Sequence, residues 1–151
     1  MTLVINGDRD ELNLEPHRTL ADVLRKDESL TSVHLDCADG TCGACTVIVD
    51  DEAIRSCLIL AVQADGAQVR TVEGLVLDHP LRAALSTMND VPCVVCVPGL
   101  VMLAAGAVEQ DPGRLRRLLA SNVCRRPGHD KAPQAVFQAA LAARDQGPHF
   151  S

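Results

Sequence analysis

The sequence contains no tryptophan and no tyrosine, and phenylalanine occurs only at Phe137 and Phe150. Proteins that grip single-stranded nucleic acid stack bases on aromatic side chains, so that kind of surface is excluded. Excess positive charge is missing as well. The formal net charge is −6, whereas phosphate backbones are held by basic patches. No apolar stretch approaches the length of a membrane span, so membrane insertion is not expected. The N-terminal MTLVINGDRD lacks a basic region followed by an apolar run, so no secretory signal is expected. There is no G-x-G-x-x-G fingerprint for a dinucleotide and no readable nucleophile–base pair. Internal repeats and low-complexity segments are absent too.

What is present is cysteine. Seven cysteines occur in 151 residues, and apolar residues make up 47% of the chain, enough for a packed core. A secreted disulfide scaffold usually pairs all its cysteines, and seven is odd. In the cytoplasm thiols stay reduced, and clustered cysteines there more often bind metal; a cytoplasmic location is the expectation. The cysteines fall into a group of four (Cys37, Cys42, Cys45, Cys57) and a group of three (Cys93, Cys96, Cys124).

The chain changes character about half-way along. Leu3–Ile5 reads as a strand running into Asn6-Gly7, a dipeptide that favours a tight hairpin, with a second strand expected through Leu12 and Leu14. Thr19 to Asp22 has the form of a capping box ahead of a short helix whose stripe is Leu20, Val23 and Leu24. Thr46–Val49 reads as a strand, Asp50-Asp51 as a turn, residues 53–60 as the returning strand and residues 69–72 as one more. Beyond residue 78 the period becomes helical. One helix opens at Asp78-His79-Pro80 and carries Leu81, Ala84, Leu85 and Met88 at i, i+3, i+4 and i+7. Residues 100–108 are apolar nearly all round, as in a buried helix. Asp111-Pro112-Gly113 starts another, with Leu115, Leu118 and Leu119 on one face. Pro133 opens the last, with Val136, Ala139 and Ala140. The expected fold class is α+β, a small β-rich domain over 1–76 followed by a bundle of four helices over 77–151.

Cys37-Ala-Asp-Gly-Thr-Cys42-Gly-Ala-Cys45 is C-x4-C-x2-C, and Cys57 follows after eleven intervening residues. This is the plant-type [2Fe–2S] ligand spacing. Four soft thiolates must converge on a small inorganic core. Gly40 and Gly43 let the backbone curl around it, and Ala44 adds little bulk. Loop amides can then face the sulfurs and help set the potential. The competing readings are a zinc site and a set of buried structural cysteines. Structural zinc usually shows two separated C-x2–4-C knuckles, whereas this loop has three cysteines and its fourth stands alone on a strand.

The run Cys37 to Asp50, followed by Arg55-Ser56-Cys57-Leu58, resembles the iron–sulfur subunit of the molybdenum hydroxylases, the family of xanthine dehydrogenase, aldehyde oxidoreductase and carbon monoxide dehydrogenase. Thr19-Leu20 to Leu24 resembles the family's early helix, and Thr71-Val72-Glu73-Gly74-Leu75 its junction between domains. The resemblance implies a β-grasp [2Fe–2S] ferredoxin-like domain followed by a four-helix domain carrying a second [2Fe–2S] cluster. It also implies that this chain transfers electrons between a molybdopterin cofactor in a large partner subunit and FAD in another, as a heterotrimer or its dimer. No substrate-binding active site is expected in this chain.

Cys93-Val-Val-Cys96-Val-Pro98-Gly99 resembles the family's second-cluster helix start, C-G-F-C-T-P-G, and Asn122-Val123-Cys124-Arg125 resembles its N-L-C-R-C-T-G-Y. Here the sequence departs. The family's fourth ligand position is Arg126, which stays protonated and offers iron no lone pair. His129 is the nearest conventional substitute. The family's usual Gln ahead of the first of these cysteines is Pro92, and 27 residues separate Cys96 from Cys124, a few fewer than usual. Two arrangements stay open. In one, Arg126 pairs with an anionic group and the second cluster is absent; in the other, His129 completes a Cys3His site. A free-standing ferredoxin-like carrier and a structural subunit with a degenerate second site are the rival functions. His17, His34, His79 and His149 are expected at the surface. Arg114, Arg116 and Arg117 are expected on a solvated helix face, and Phe137 in the core.

Overall fold

In the computed structural model the described residues are 1–37, 39–87, 95–107, 111–124 and 131–144, the side chains of 84–87 excepted. The chain starts with β1 (Thr2–Ile5) and β2 (Asp8–Glu11), paired antiparallel with Ile5 opposite Asp8. Both residues of the connecting turn have positive φ, 51° at Asn6 and 95° at Gly7, as a two-residue hairpin of right-handed twist requires. That turn is so tight that β2 is over by Glu11, earlier than the expected strand through Leu12 and Leu14.

Helix α1 (Leu20–Lys26) begins where the capping residues place it. The Thr19 hydroxyl oxygen accepts from the Asp22 amide at 3.1 Å, and its O–H donates to the Asp22 carboxylate at 2.8 Å. That contact and the hydrogen bond with Lys26 hold Asp22 below the usual carboxylate range. Leu20, Ala21, Val23 and Leu24 are buried. Strands β3 (Thr46–Val49) and β4 (Glu52–Arg55) form a second two-residue hairpin with positive φ at Asp50 and Asp51. Strand β5 (Gln68–Arg70) lies parallel to β1 and antiparallel to β3, giving the sheet order β2-β1-β5-β3-β4. Both returning strands are shorter than the sequence pattern suggested. Each bends into a 3-10 turn, Ser56–Leu58 after β4 and Val72–Gly74 after β5.

Helices α2 (Pro80–Thr87), α3 (Val97–Ala105), α4 (Pro112–Ala120) and α5 (Lys131–Ala143) follow. The last begins two residues ahead of Pro133, and α5 packs against α2, α3 and α4. Asp111 caps α4 by accepting from the Arg114 amide at 2.9 Å, ahead of Pro112 at the first helical position. Met88, Val108, His149 and Phe150 lie outside the described residues.

Two hydrophobic clusters form, and strand β3 stands between them. Leu3, Ile5, Leu20, Leu24, Val33, Val47 and Val69 gather on one side. Leu81, Leu100, Met102, Leu115, Leu119, Val136 and Phe137 gather on the other, joined there by Ile48, Val72 and Leu75. Val47 and Ile48 are consecutive, so the period of two sends one to each core. Phe137 is 7% exposed, as expected of a core residue, and Arg116 stacks over its ring at 4.6 Å. Arg114, Arg116 and Arg117 are exposed. His79 corrects the surface expectation: it is 3% exposed and its Nδ1 accepts from the Leu81 amide, so it serves the start of α2.

The cysteine loop as candidate metal centre

The chain enters the first cysteine group from α1 through a strap at residues 30–34. Val33 is buried and its carbonyl accepts from Arg25. Ser32 donates through both its amide and its hydroxyl to Glu73, which also accepts from Thr71. Thr71 in turn exchanges hydrogen bonds with the side chain of Asn6. This surface network ties the lead-in of the loop to the end of β5. Partial burial alone would raise the Glu73 carboxyl, but the hydrogen bonds from Ser32 and Thr71 outweigh it and hold it below the usual range.

The loop then turns back on itself. Gly40 and Gly43 have φ of 80° and 68°, a region that glycine enters without steric cost. At both positions a side chain would also collide. A Cβ on Gly40 would stand 2.5 Å from Leu58 Cδ1, and one on Gly43 would stand 2.2 Å from Asn122 Oδ1. The Asp39 carboxylate accepts from the amide and hydroxyl of Thr41, which closes the first turn. Ala44 and Cys45 are buried and Cys42 nearly so, while Cys37 and Cys57 are half-buried.

Cys57 is delivered by a different device from the strand that the sequence pattern suggested. It sits in the 3-10 turn beyond β4, anchored by Ser56, whose amide and hydroxyl both donate to the Cys45 carbonyl. The hairpin register sets Thr46 opposite Arg55, so Cys45 falls opposite Ser56 and the 3-10 turn brings Cys57 in next to it.

The four thiols lie in one neighbourhood: Cys37 and Cys42 act on one another, and Cys57 feels Cys45, Cys37 and Cys42. The Cys42 amide donates to the Cys37 sulfur and the Ala44 amide to the Cys42 sulfur, each at 3.4 Å. Burial would raise Cys37, yet the Cys42 amide outweighs it and holds that thiol below its ordinary value. Burial raises Cys42, and it pushes Cys57 up to about 12 with help from the Cys45 thiol and the charges of Cys37 and Cys42. Among the described residues no three ligating groups converge closely enough to hold a single ion. Four soft donors on one loop and the adjoining turn suit a small iron–sulfur core. The glycines that keep the loop free of side chains and the inward amides suit it as well.

Of the second group, Cys96 is buried at the N-cap of α3 and Cys124 is half-buried beyond the end of α4. Cys93, Arg125, Arg126, His129 and Pro92 lie outside the described residues.

Comparison with known proteins settles the kinship. The family model described as a 2Fe-2S iron-sulfur cluster binding domain matches residues 3–75. The nicotine 6-hydroxylase small subunit of Paenarthrobacter nicotinovorans is 38% identical over 141 residues, spanning 89% of this chain and 86% of that one. The caffeine dehydrogenase subunit gamma of Pseudomonas sp. (strain CBB1) is 38% identical over 146 residues, spanning 90% and 87%. In three dimensions the quinoline 2-oxidoreductase of Pseudomonas putida 86 superposes with a TM-score of 0.84 at 32% identity, covering 97% of this chain and 96% of that chain. The chain is an iron–sulfur small subunit of the molybdenum hydroxylase family. As such a small subunit it carries a [2Fe–2S] domain and serves electron transfer in a multi-subunit oxidoreductase. The α+β class read from the sequence agrees with this match. No helix among the described residues is long and apolar enough to cross a membrane.

Sequence reasoning missed what surrounds the cysteines in this small subunit. Leu58 covers Gly40, and Asn122 and Gly99 cover Gly43. His34, expected at the surface, is half-buried, and its Nδ1 donates to the Val95 carbonyl at 2.7 Å. The only advance signal was glycine itself. Gly40, Gly43 and Gly99 each lie within three residues of a cysteine, where close backbone approach is needed.

Proposed function

We propose that Cys37, Cys42, Cys45 and Cys57 hold one [2Fe–2S] cluster, with Cys37 and Cys42 on one iron and Cys45 and Cys57 on the other. The convergence of the loop cysteines, with amides donating to the Cys37 and Cys42 sulfurs and Ser56 anchoring the Cys57 turn to Cys45, carries this reading. When bound, the cluster supplies a one-electron couple. The chain's own residues hold the thiolates and point the amides of Cys42 and Ala44 at sulfur, while buried Ala44 and Cys45 keep water from one side. Gly40 and Gly43 keep the loop backbone close to the cluster.

Residues 1–76 form the ferredoxin-like domain and 77–151 the helical domain, a division supported by the two separate hydrophobic clusters. The partners are a large molybdopterin-type subunit and an FAD subunit, in a heterotrimer or its dimer, and this chain passes electrons between them. The absence of any flavin or nucleotide fingerprint supports placing those cofactors elsewhere. The six described cysteines are free thiols, which fits the cytoplasm. At the second group, Cys93, Cys96 and Cys124 remain, and Arg126 in the family's fourth position favours a site that is empty or completed by His129.

Iron and acid-labile sulfide per chain in the purified complex test these assignments. Two irons are expected with an empty second site, four with His129 as ligand. In the first case Arg126→Cys raises iron and adds a second paramagnetic signal. In the second, His129→Ala lowers iron and Arg126→Cys leaves it unchanged. Iron-free protein with intact thiols would overturn the cluster reading.

A further inference from the structure

The helical half closes over the first cysteine loop. Val123 donates its amide to the Thr41 carbonyl at 3.1 Å. Asn122, only 3% exposed, presses on Gly43 so closely that no Cβ fits between them. Arg55 Nη2 donates to the Asn122 Oδ1 at 3.2 Å. From α3, Gly99 meets the same stretch: a Cβ there would stand 2.0 Å from the Gly43 carbonyl oxygen and 2.9 Å from Ala44 Cα. Backbone from the helical half thus lies directly on Thr41–Ala44, the stretch whose Cys42 and Ala44 amides donate to sulfur.

Arg55 occupies a special place in this joint. It ends β4, two residues before Cys57, and its guanidinium reaches the segment that covers the loop. One hydrogen bond therefore connects the piece of chain that delivers the fourth cysteine to the cover over the other three. The guanidinium also sets fixed positive charge on Asn122, the residue that lies against Gly43, and net charge is among the levers on cluster potential.

We propose that Arg55 and Asn122 are positioning residues for the first cluster, a clamp by which the helical half fixes the geometry and potential of a centre whose ligands all lie outside it. The proposal rests on the assignment of Cys37, Cys42, Cys45 and Cys57 as ligands. It gives the helical half a task independent of Arg126 and of any second cluster.

The test uses the full chain in its purified complex, with Arg55→Met, Arg55→Lys, Asn122→Ala, Asn122→Asp and Gly99→Ala. Readouts are visible circular dichroism, g-values after dithionite reduction, midpoint potential and the rate of iron loss to a chelator. Arg55→Met and Asn122→Ala are expected to lose first-site iron several-fold faster, with altered dichroism, and Arg55→Met to lower the potential. Arg55→Lys keeps the charge and a donor, so it is expected to hold most of the wild-type potential. Gly99→Ala drives a Cβ into the Gly43 carbonyl, so it is expected to disturb the first-cluster spectrum as well as to lower stability. If Arg55→Met or Asn122→Ala fails to fold, Asn122→Asp decides. It keeps the acceptor and adds negative charge, so a lowered potential at full iron content supports the clamp. Wild-type potential in Asn122→Asp, or wild-type dichroism and release rates in Arg55→Met and Asn122→Ala, overturns it. A wild-type complex with no [2Fe–2S] signal overturns the ligand assignment itself, which is a different failure.

Discussion

The two cysteine groups stand on different kinds of support. Cys37, Cys42 and Cys45 lie in a loop shaped by its backbone, with positive φ at Gly40 and Gly43 and amides turned toward sulfur. Cys96 and Cys124 sit at helix ends, the first capping α3 and the second just past α4. Such a loop is held to its shape by many small constraints, among them the hydrogen bonds to the Cys37 and Cys42 sulfurs. Helix ends are placed by packing deep in the bundle, by Leu100, Leu115 and Leu119, each at most 1% exposed. The second support is therefore set by helix packing.

The sharpest break in this comparison comes from the ligands. Cys42→Ser or Cys57→Ser is expected to abolish the visible absorption of the first centre, because serine is a harder and less acidic ligand. Cys124→Ser is expected to leave that absorption in place. Spectra and iron content of the purified variants check both.

Packing comes next. Leu100→Ala opens a cavity in the helical core and is expected to cost about 2–5 kcal/mol, read from the midpoint of denaturant unfolding. Because β3 borders both cores, the visible signal and the helical signal should be lost together. Separate transitions would show that the halves unfold independently.

A local device should cost less. Thr19→Ala removes the cap of α1 and is expected to cost about 1 kcal/mol, measured the same way, with the spectrum of the first centre unchanged.

The smallest effect belongs to Glu73, which faces solvent. Its folded-state pKa is depressed, so its contribution is present above the ordinary value of 4.5 and is lost as pH falls through the lower folded value. Wild type should exceed Glu73→Gln in melting temperature at neutral pH, and the gap should close in acid. A gap that widens in acid would reverse the assigned direction.

The sequence made the ladder of elements legible because each was marked by local chemistry. Asn6-Gly7, Thr19 with Asp22, and Asp111-Pro112 act within a few residues of themselves, and the structure uses all three. The thiol spacing was legible for the same reason. Less visible was whatever depends on distant partners. Strands β4 and β5 end early because Ser56 anchors to Cys45, eleven residues away along the chain, and because Val72 turns into the helical core. The burial of His79 was hidden too, since a histidine near a proline looks like any surface turn. The cover formed by Asn122 and Gly99 depends on a tertiary approach that no spacing encodes.

The parallel pairing of β1 with β5 has a consequence for the order in which the molecule is made. Val4 pairs with Gln68, so the first strand synthesised meets β2 at once but waits for more than sixty residues before its parallel neighbour exists. The β3–β4 hairpin has no such delay. Its partners are joined by two residues, and hairpins of that kind close in about 1–10 μs. Closing the sheet through non-local contacts is the slower event. The approach of Cys57 to Cys45 is thus available on the nascent chain before the sheet around them is complete. Two of the four clustered cysteines meet early, while β5, which joins β1 to β3, is still to come.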